Sequence, residues 1–218
     1  MMSRAPLSQP SRRTLIAGLG LTAVAGLHPS LAQAAPAAKI VTLLGDSITA
    51  GYGLAQKDSL PVQLELALGK LGIDAKVRGA GVSGDTTADG LARVDFSVRP
   101  DTDLCLIELG GNDLLQGDDA ATTRANLTAI LARLKARHIK GALIGLHAPD
   151  QIGVAFAHDF NSAFTGAAEA GHAPLYPSLL AGVAGNPALV QGDHIHPNAA
   201  GVKVIVAKLA PFVAKHLK

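Results

Sequence analysis

Apolar residues along this chain follow two spacings. Short continuous runs, "KIVTLL" (39–44), "DLCLIEL" (103–109) and "ALIGLH" (142–147), have the length and composition of strands buried on both faces. "AKVRGA" (75–80) reads as a weaker strand, and "APLYPSL" (173–179) has room for a short final one. Between these runs the spacing changes to that of helices. Residues 59–71 carry Leu60, Leu64, Leu68 and Leu71 at helical intervals, with Pro61 near the first turn. "TTADGLARV" (86–94) predicts a short helix. Residues 120–138 predict a long one, with Leu127, Ile130, Leu131 and Leu134 on one stripe and Arg124, Arg133 and Arg137 off it. Phe156, Phe160 and Phe164 mark a helix over 154–170. Asn198 is placed to cap a last helix over 199–216, with Val202, Ile205, Val206 and Leu209 turned inward.

Strand and helix therefore alternate from Lys39 onward. That order predicts an α/β domain with a parallel sheet covered on both faces. No internal repeat or interdomain linker interrupts it. In such sheets, sites form beyond the carboxyl ends of the strands. The longest irregular stretch, residues 178–197, precedes the last helix; loops of that length in compact domains are commonly functional.

The first 34 residues do not fit this alternation. A basic start is followed by an uncharged run from Thr14 to Leu27, short for a membrane span, and by Ala32 and Ala34 at the spacing of a signal-peptidase site. Ser11-Arg12-Arg13-Thr14-Leu15-Ile16 has the form of a twin-arginine export signal, with general secretion as the alternative. The expected organisation is a signal peptide over 1–34 and one catalytic domain over 35–218. The expected location is periplasmic or secreted, with no stable membrane anchor after cleavage.

Removing that segment changes the charge. It holds Arg4, Arg12 and Arg13 and no acids, so 16 of the 19 Lys and Arg remain against 17 Asp and Glu, a net of −1. Nothing in that balance points to nucleic acid. Five Phe, two Tyr and no Trp leave little for base- or sugar-stacking surfaces. The single cysteine, Cys105, lies inside an apolar run and has no intrachain disulfide partner.

Four polar islands fall where the sheet predicts a site. Gly45-Asp46-Ser47 follows the first strand, and Gly81-Val82-Ser83-Gly84-Asp85 the second. Gly110-Gly111-Asn112-Asp113 follows the third; Asp193-His194-Ile195-His196-Pro197-Asn198 precedes the last helix. Acyl transfer needs a hydroxyl, a base, an orienting carboxylate and donors for the developing oxyanion. Ser47, His196 and Asp193 fill the first three roles. Gly84 N–H, the Asn112 amide and Ser47 N–H fill the fourth. Taken singly, each island also reads as a helix cap or a turn. Asp193 with His194 and His196 also admits a zinc reading, which the divergence of alternate side chains in an extended segment disfavours.

The blocks "GDSITAGYG", "GVSGDTT", "ELGGND" and "DHIHPN" together resemble those of the GDSL/SGNH hydrolase family, in particular its bacterial thioesterase I, lysophospholipase and arylesterase branch. The resemblance runs from about Lys39 to the C-terminus. It implies a flavodoxin-like three-layer α/β/α sandwich and metal-free hydrolysis of a small-molecule ester, without a cofactor. It places the nucleophile on Ser47, the acid and base on Asp193 and His196, and the oxyanion hole on Ser47, Gly84 and Asn112. Gly79, Leu60 and His194 depart from the usual residues of this branch, and none removes a catalytic part. The expected activity is a serine esterase on short- to medium-chain acyl or aryl esters, with thioesters and lysophospholipids also within reach. A carbohydrate O-deacetylase and a non-catalytic binding protein on the same fold are the alternatives. His147, Ile152, Leu179, Leu180 and Val183 are the candidate walls of the acyl site; packing beneath the loops is the competing role for the apolar ones.

Overall fold

The computed structural model describes residues 37–217, and the predicted signal segment lies outside them. Five strands form one sheet: β1 (Lys39–Gly45), β2 (Ala75–Gly81), β3 (Leu104–Glu108), β4 (Lys140–Ile144) and β5 (Leu175–Tyr176). All pairings are parallel, in the order β2-β1-β3-β4-β5. This is the flavodoxin-like order, and the expected three-layer sandwich is what the chain adopts.

The apolar runs lack polar alternation because both faces are covered. Val41, Leu43, Leu104, Leu106, Ala142 and Ile144 pack on one side. There they meet Leu60, Leu64 and Leu68 of α2 (Leu60–Lys70) and Val202, Ile205, Val206 and Leu209 of α7 (Ala199–His216). Leu44, Cys105, Ile107 and Leu143 point to the other side. Their partners are Val94 of α3 (Thr87–Ser97), Leu127, Ile130 and Leu134 of α5 (Ala120–Ala136), and Phe160 and Phe164 of α6 (Val154–Gly171). Each fully buried leucine contributes about 1.5–3 kcal/mol of transfer free energy. Cys105 is buried and free, in accord with its apolar run.

Caps explain most helix boundaries. Asn198 Oδ1 accepts from the Ala200 and Gly201 N–H groups and starts α7 as predicted. Thr86 and Asp89 form a reciprocal capping box at α3. Leu71 is the C-cap of α2 and half exposed, so the leucine stripe ends at Leu68. Two one-turn helices had no periodic signal: α1 (Ser47–Ala50) and α4 (Gly111–Gln116). Both begin in the polar islands after β1 and β3.

The chain runs from β1 outward to β2 and then returns to the other side of β1 for β3. The crevice at such a reversal lies beyond the carboxyl ends of β1 and β3. α1 and α4 start there.

Candidate active site

β1 ends at Gly45, and Asp46 begins α1 by accepting the Ile48 N–H on Oδ1 at 3.0 Å. This cap sets Ser47 at the first helical position, at the mouth of the crevice. Ser47 Oγ lies 2.8 Å from His196 Nε2, and His196 Nδ1 lies 2.6 Å from Asp193 Oδ2. The other Asp193 oxygen accepts the backbone N–H groups of Ile195 and His196, each at 3.0 Å. Those bonds close a tight turn that puts the carboxylate and the imidazole on one side. The hydrogen bond from His196, aided by the two backbone donors, lowers the Asp193 carboxyl to about 2. Asp193 is therefore ionised and accepts from Nδ1–H, which leaves Nε2 to accept the Ser47 proton.

The loop bearing this pair is tied down at several points. Gln191 Nε2 donates to Tyr52 O at 2.7 Å and to Pro197 O at 3.1 Å, and Gln191 N donates to His196 O. Asn198 Nδ2 donates to Ala188 O and Val190 O. The Tyr52 ring rests against His196 with centroids 4.7 Å apart. His194 adopts φ 62° and is exposed, outside the Ser47–His196–Asp193 line. Among the described residues, no three His, Cys, Asp or Glu side chains are grouped to hold a metal ion.

Residues of the second and third islands line the same cleft as Ser47. Gly84 has φ 92°, a conformation that favours glycine. Asn112 Nδ2 donates to Asp85 O at 2.8 Å and reaches Asp46 Oδ2 at 3.5 Å, the outer limit of a hydrogen bond. Asp113 anchors α4: its Oδ2 accepts the Thr87 N–H at 2.9 Å, and its Oδ1 accepts the Thr87 hydroxyl and, at 3.2 Å, the Thr123 hydroxyl. Arg93 reaches from α3 to bind Asp85 Oδ2 at 2.5 Å, Gly45 O at 2.8 Å and Ala80 O at 2.9 Å. One guanidinium thus joins the ends of β1 and β2 to the loop that carries Gly84. Sequence reading assigned no role to Arg93, Asp113, Tyr52 or Gln191. Of these, Asp113 and Tyr52 stood inside singled-out motifs, "ELGGND" and "GDSITAGYG".

These parts line a cleft of about 800 Å³. Ser47, Gly84, Asn112 and His196 lie in it beside Leu114, Leu115, Leu146 and Leu180. Of the expected wall residues, His147 and Leu180 line the cleft; His147 lies in the loop after β4, three positions beyond the strand. Leu179 and Val183 turn the other way. They are 1% and 0% exposed, in the core shared with α7, because the turns of this loop alternate inward and outward positions. Ala181, Gly182 and Ala184 take the wall positions instead. Ile152 sits half exposed at the end of the 3-10 turn Asp150–Ile152, outside the lining, and Pro149 stands at the wall.

Comparison with known proteins agrees with this geometry. The model of the GDSL-like Lipase/Acylhydrolase family matches residues 43–204, a span that holds all four islands. The chain is 33% identical over 176 residues to Esterase TesA of Pseudomonas aeruginosa, covering 80% of this chain and 88% of that one. It is 32% identical over 188 residues to an arylesterase of Vibrio mimicus, covering 86% and 94%. The crystal structure of AlinE4, an SGNH-hydrolase family esterase, superposes with a TM-score of 0.69 at 43% identity, covering 84% of this chain and 98% of that one.

Proposed function

Because this chain belongs to the GDSL-like lipase/acylhydrolase family, its activity is the hydrolysis of carboxylic esters, and we propose that Ser47, His196 and Asp193 carry it out. The observation behind this reading is the continuous line of hydrogen bonds from Asp193 through His196 to Ser47, ending at the mouth of an apolar cleft.

His196 Nε2 takes the Ser47 proton as Oγ attacks the ester carbonyl. The oxyanion forms between Ser47 N–H, Gly84 N–H and the Asn112 amide. As the tetrahedral intermediate collapses, His196 returns the proton to the leaving alcohol or thiol, and an acyl-enzyme remains. Water then attacks the acyl carbon and gives a proton to the same imidazole. His196 passes that proton to Ser47 as the acid departs. Asp193 holds the ring in one tautomer and stabilises its charged form.

Leu114, Leu115, Leu146 and Leu180 suit a short- to medium-chain acyl or an aryl group. No lysine or arginine lines the cleft among the described residues, which favours uncharged esters over phosphate-bearing ones. The apolar walls and the lack of tryptophan count against a sugar ester. No helix among the described residues is long and apolar enough to cross a membrane. With the signal-like residues 1–34, this supports an exported enzyme that works outside the inner membrane.

The test is hydrolysis of p-nitrophenyl esters of increasing chain length, run beside an acyl-CoA, a lysophospholipid and an acetylated sugar. The expected order puts the short and medium uncharged esters first. A preference for the acetylated sugar would overturn the assignment of substrate. A fluorophosphonate probe should label Ser47, as read by peptide mass spectrometry.

The pH dependence follows from the same groups. Asp193, at about 2, stays ionised wherever the protein is assayed. The base must be unprotonated to take the Ser47 proton, so kcat/KM should show a limb that falls on acidification. Burial also raises Asp46 to about 6 despite its bond from Ile48 N–H, but Asp46 takes no proton from Ser47 in the proposed steps. The limb should therefore persist in Asp46→Asn. A flat profile in that variant would shift the limb to Asp46 and remove the evidence for a histidine base.

A further inference from the structure

Beneath the turn that carries Ser47 lies a buried acid that the ester-cleaving steps do not use. Glu108 ends β3, directly across from Gly45 in the β1–β3 register, and is 1% exposed. It does not line the cleft. Its Oε2 accepts the Thr49 hydroxyl at 2.7 Å. Its Oε1 is buried with no hydrogen-bond partner among the described residues. A Cβ at position 45 would come within 2.5 Å of Oε2 and 2.8 Å of the Glu108 carbonyl oxygen, so the last residue of β1 must be glycine for this acid to fit. Glu108 thus touches the turn at both ends, at Gly45 before Ser47 and at Thr49 after it.

An apolar side chain would fill this position at lower cost, since a buried polar group with an unmet oxygen destabilises the folded state. The groups around it offer no compensating cation. Asp46, on the same turn, is an acid. Arg93, arriving from α3, is committed to Asp85, Ala80 O, Ser97 and Gly45 O. Asp85 and His196, from the neighbouring loops, act electrostatically on Asp46. Burial and the Asp46 charge together push the Glu108 carboxyl well above the ordinary carboxylate range. The Thr49 hydroxyl needs one acceptor oxygen, which the carboxyl keeps in either protonation state.

We propose that Glu108 is a positioning residue for the esterase reaction: buried between Gly45 and the Thr49 hydroxyl, it braces the Gly45–Thr49 turn and so fixes the direction of the Ser47 hydroxyl. The inference rests on Ser47 being the nucleophile. A turn held by this brace keeps Oγ on the His196 line, and misplacement by about 1 Å costs on the order of 10²-fold in rate.

The test compares Glu108→Gln, Glu108→Leu and Thr49→Val with the wild type for kcat, KM and melting temperature. Glutamine preserves the acceptor for Thr49 and has no charge, so its kcat should stay close to wild type. Leucine removes the acceptor, and kcat should fall about 10- to 100-fold with KM unchanged. Thr49→Val removes the matching donor and should move kcat in the same direction.

Stability should move differently. A carboxyl whose folded value is raised binds its proton more tightly when folded, so it costs stability as pH rises from its ordinary value toward the raised one. Glu108→Gln should therefore melt above wild type at about pH 8, with the gap narrowing near pH 4. A role in packing alone would lower stability and turnover together. Wild-type kcat in folded Glu108→Leu would overturn the proposal. A Glu108→Gln enzyme as slow as the leucine variant would overturn it too, by showing that keeping the acceptor for Thr49 does not hold the turn. If the leucine variant does not fold, Thr49→Val decides, and wild-type turnover there counts against the brace. Failure of the fluorophosphonate to label Ser47 in the wild type would instead fault the nucleophile assignment.

Discussion

Ser47→Ala should lower kcat by about 10⁴-fold or more while leaving the fold intact. The alanine variant loses the attacking oxygen and the proton that His196 accepts. What remains is the set of oxyanion donors and the apolar cleft, which together sustain only about 10³–10⁴-fold over the uncatalysed reaction. The fold has little reason to respond. Asp46 caps α1 through its own side chain, and the side-chain hydrogen bond lost is the one to His196. Alanine is also a better helix former than serine. The measurement is turnover of a short-chain p-nitrophenyl ester beside a thermal melt. Folded protein with kcat within about tenfold of wild type would mean that a different group attacks the ester.

Asn112→Ala should cost about 10²–10³-fold in kcat with little change in KM. A side-chain amide has two N–H donors. Here the nitrogen that donates to Asp85 O at 2.8 Å fixes the rotamer, and its contact with Asp46 Oδ2 at 3.5 Å is weak enough to give way to the proposed oxyanion. That hydrogen bond strengthens as negative charge develops, so its loss should fall on the transition state and spare substrate binding. Phosphonate inactivation of Ser47 should slow in parallel, because the phosphonyl oxygen occupies the same place. Unchanged kcat would remove Asn112 from the hole and leave the two backbone donors to act alone.

How much of this was written plainly in the sequence depended on distance along the chain. The buried runs of β1, β3 and β4 declared themselves, because strands covered on both faces have no polar alternation. Asn198 declared the start of α7, because capping is a local contact. Leu71 misled for a local reason: its spacing continues the leucine stripe, but Gly72 at φ 74° follows and the helix has already ended. α1 and α4 are shorter than the period that would reveal them.

The loop before α7 shows a different limit. Leu179, Leu180 and Val183 are chemically alike, and only the turn geometry and the facing surface of α7 decide which one reaches the cleft. Arg93 marks the same boundary. Its position predicts a polar helical residue, yet its partner Gly45 O lies 48 positions away. The polar islands come together in one cleft because strand ends converge once the sheet is formed.

Ser47 and His196 are separated by 149 positions, with strands β2 to β5 between them in chain order. A growing polypeptide on the ribosome therefore carries the proposed nucleophile through nearly all of its synthesis with no base to activate it. Even when His196 emerges, α7 still has to follow and cover the face of the sheet where α2 already waits. Ester cleavage is thus confined to chains that have been finished and folded. That ordering spares the esters of the cell that makes it from every incomplete copy.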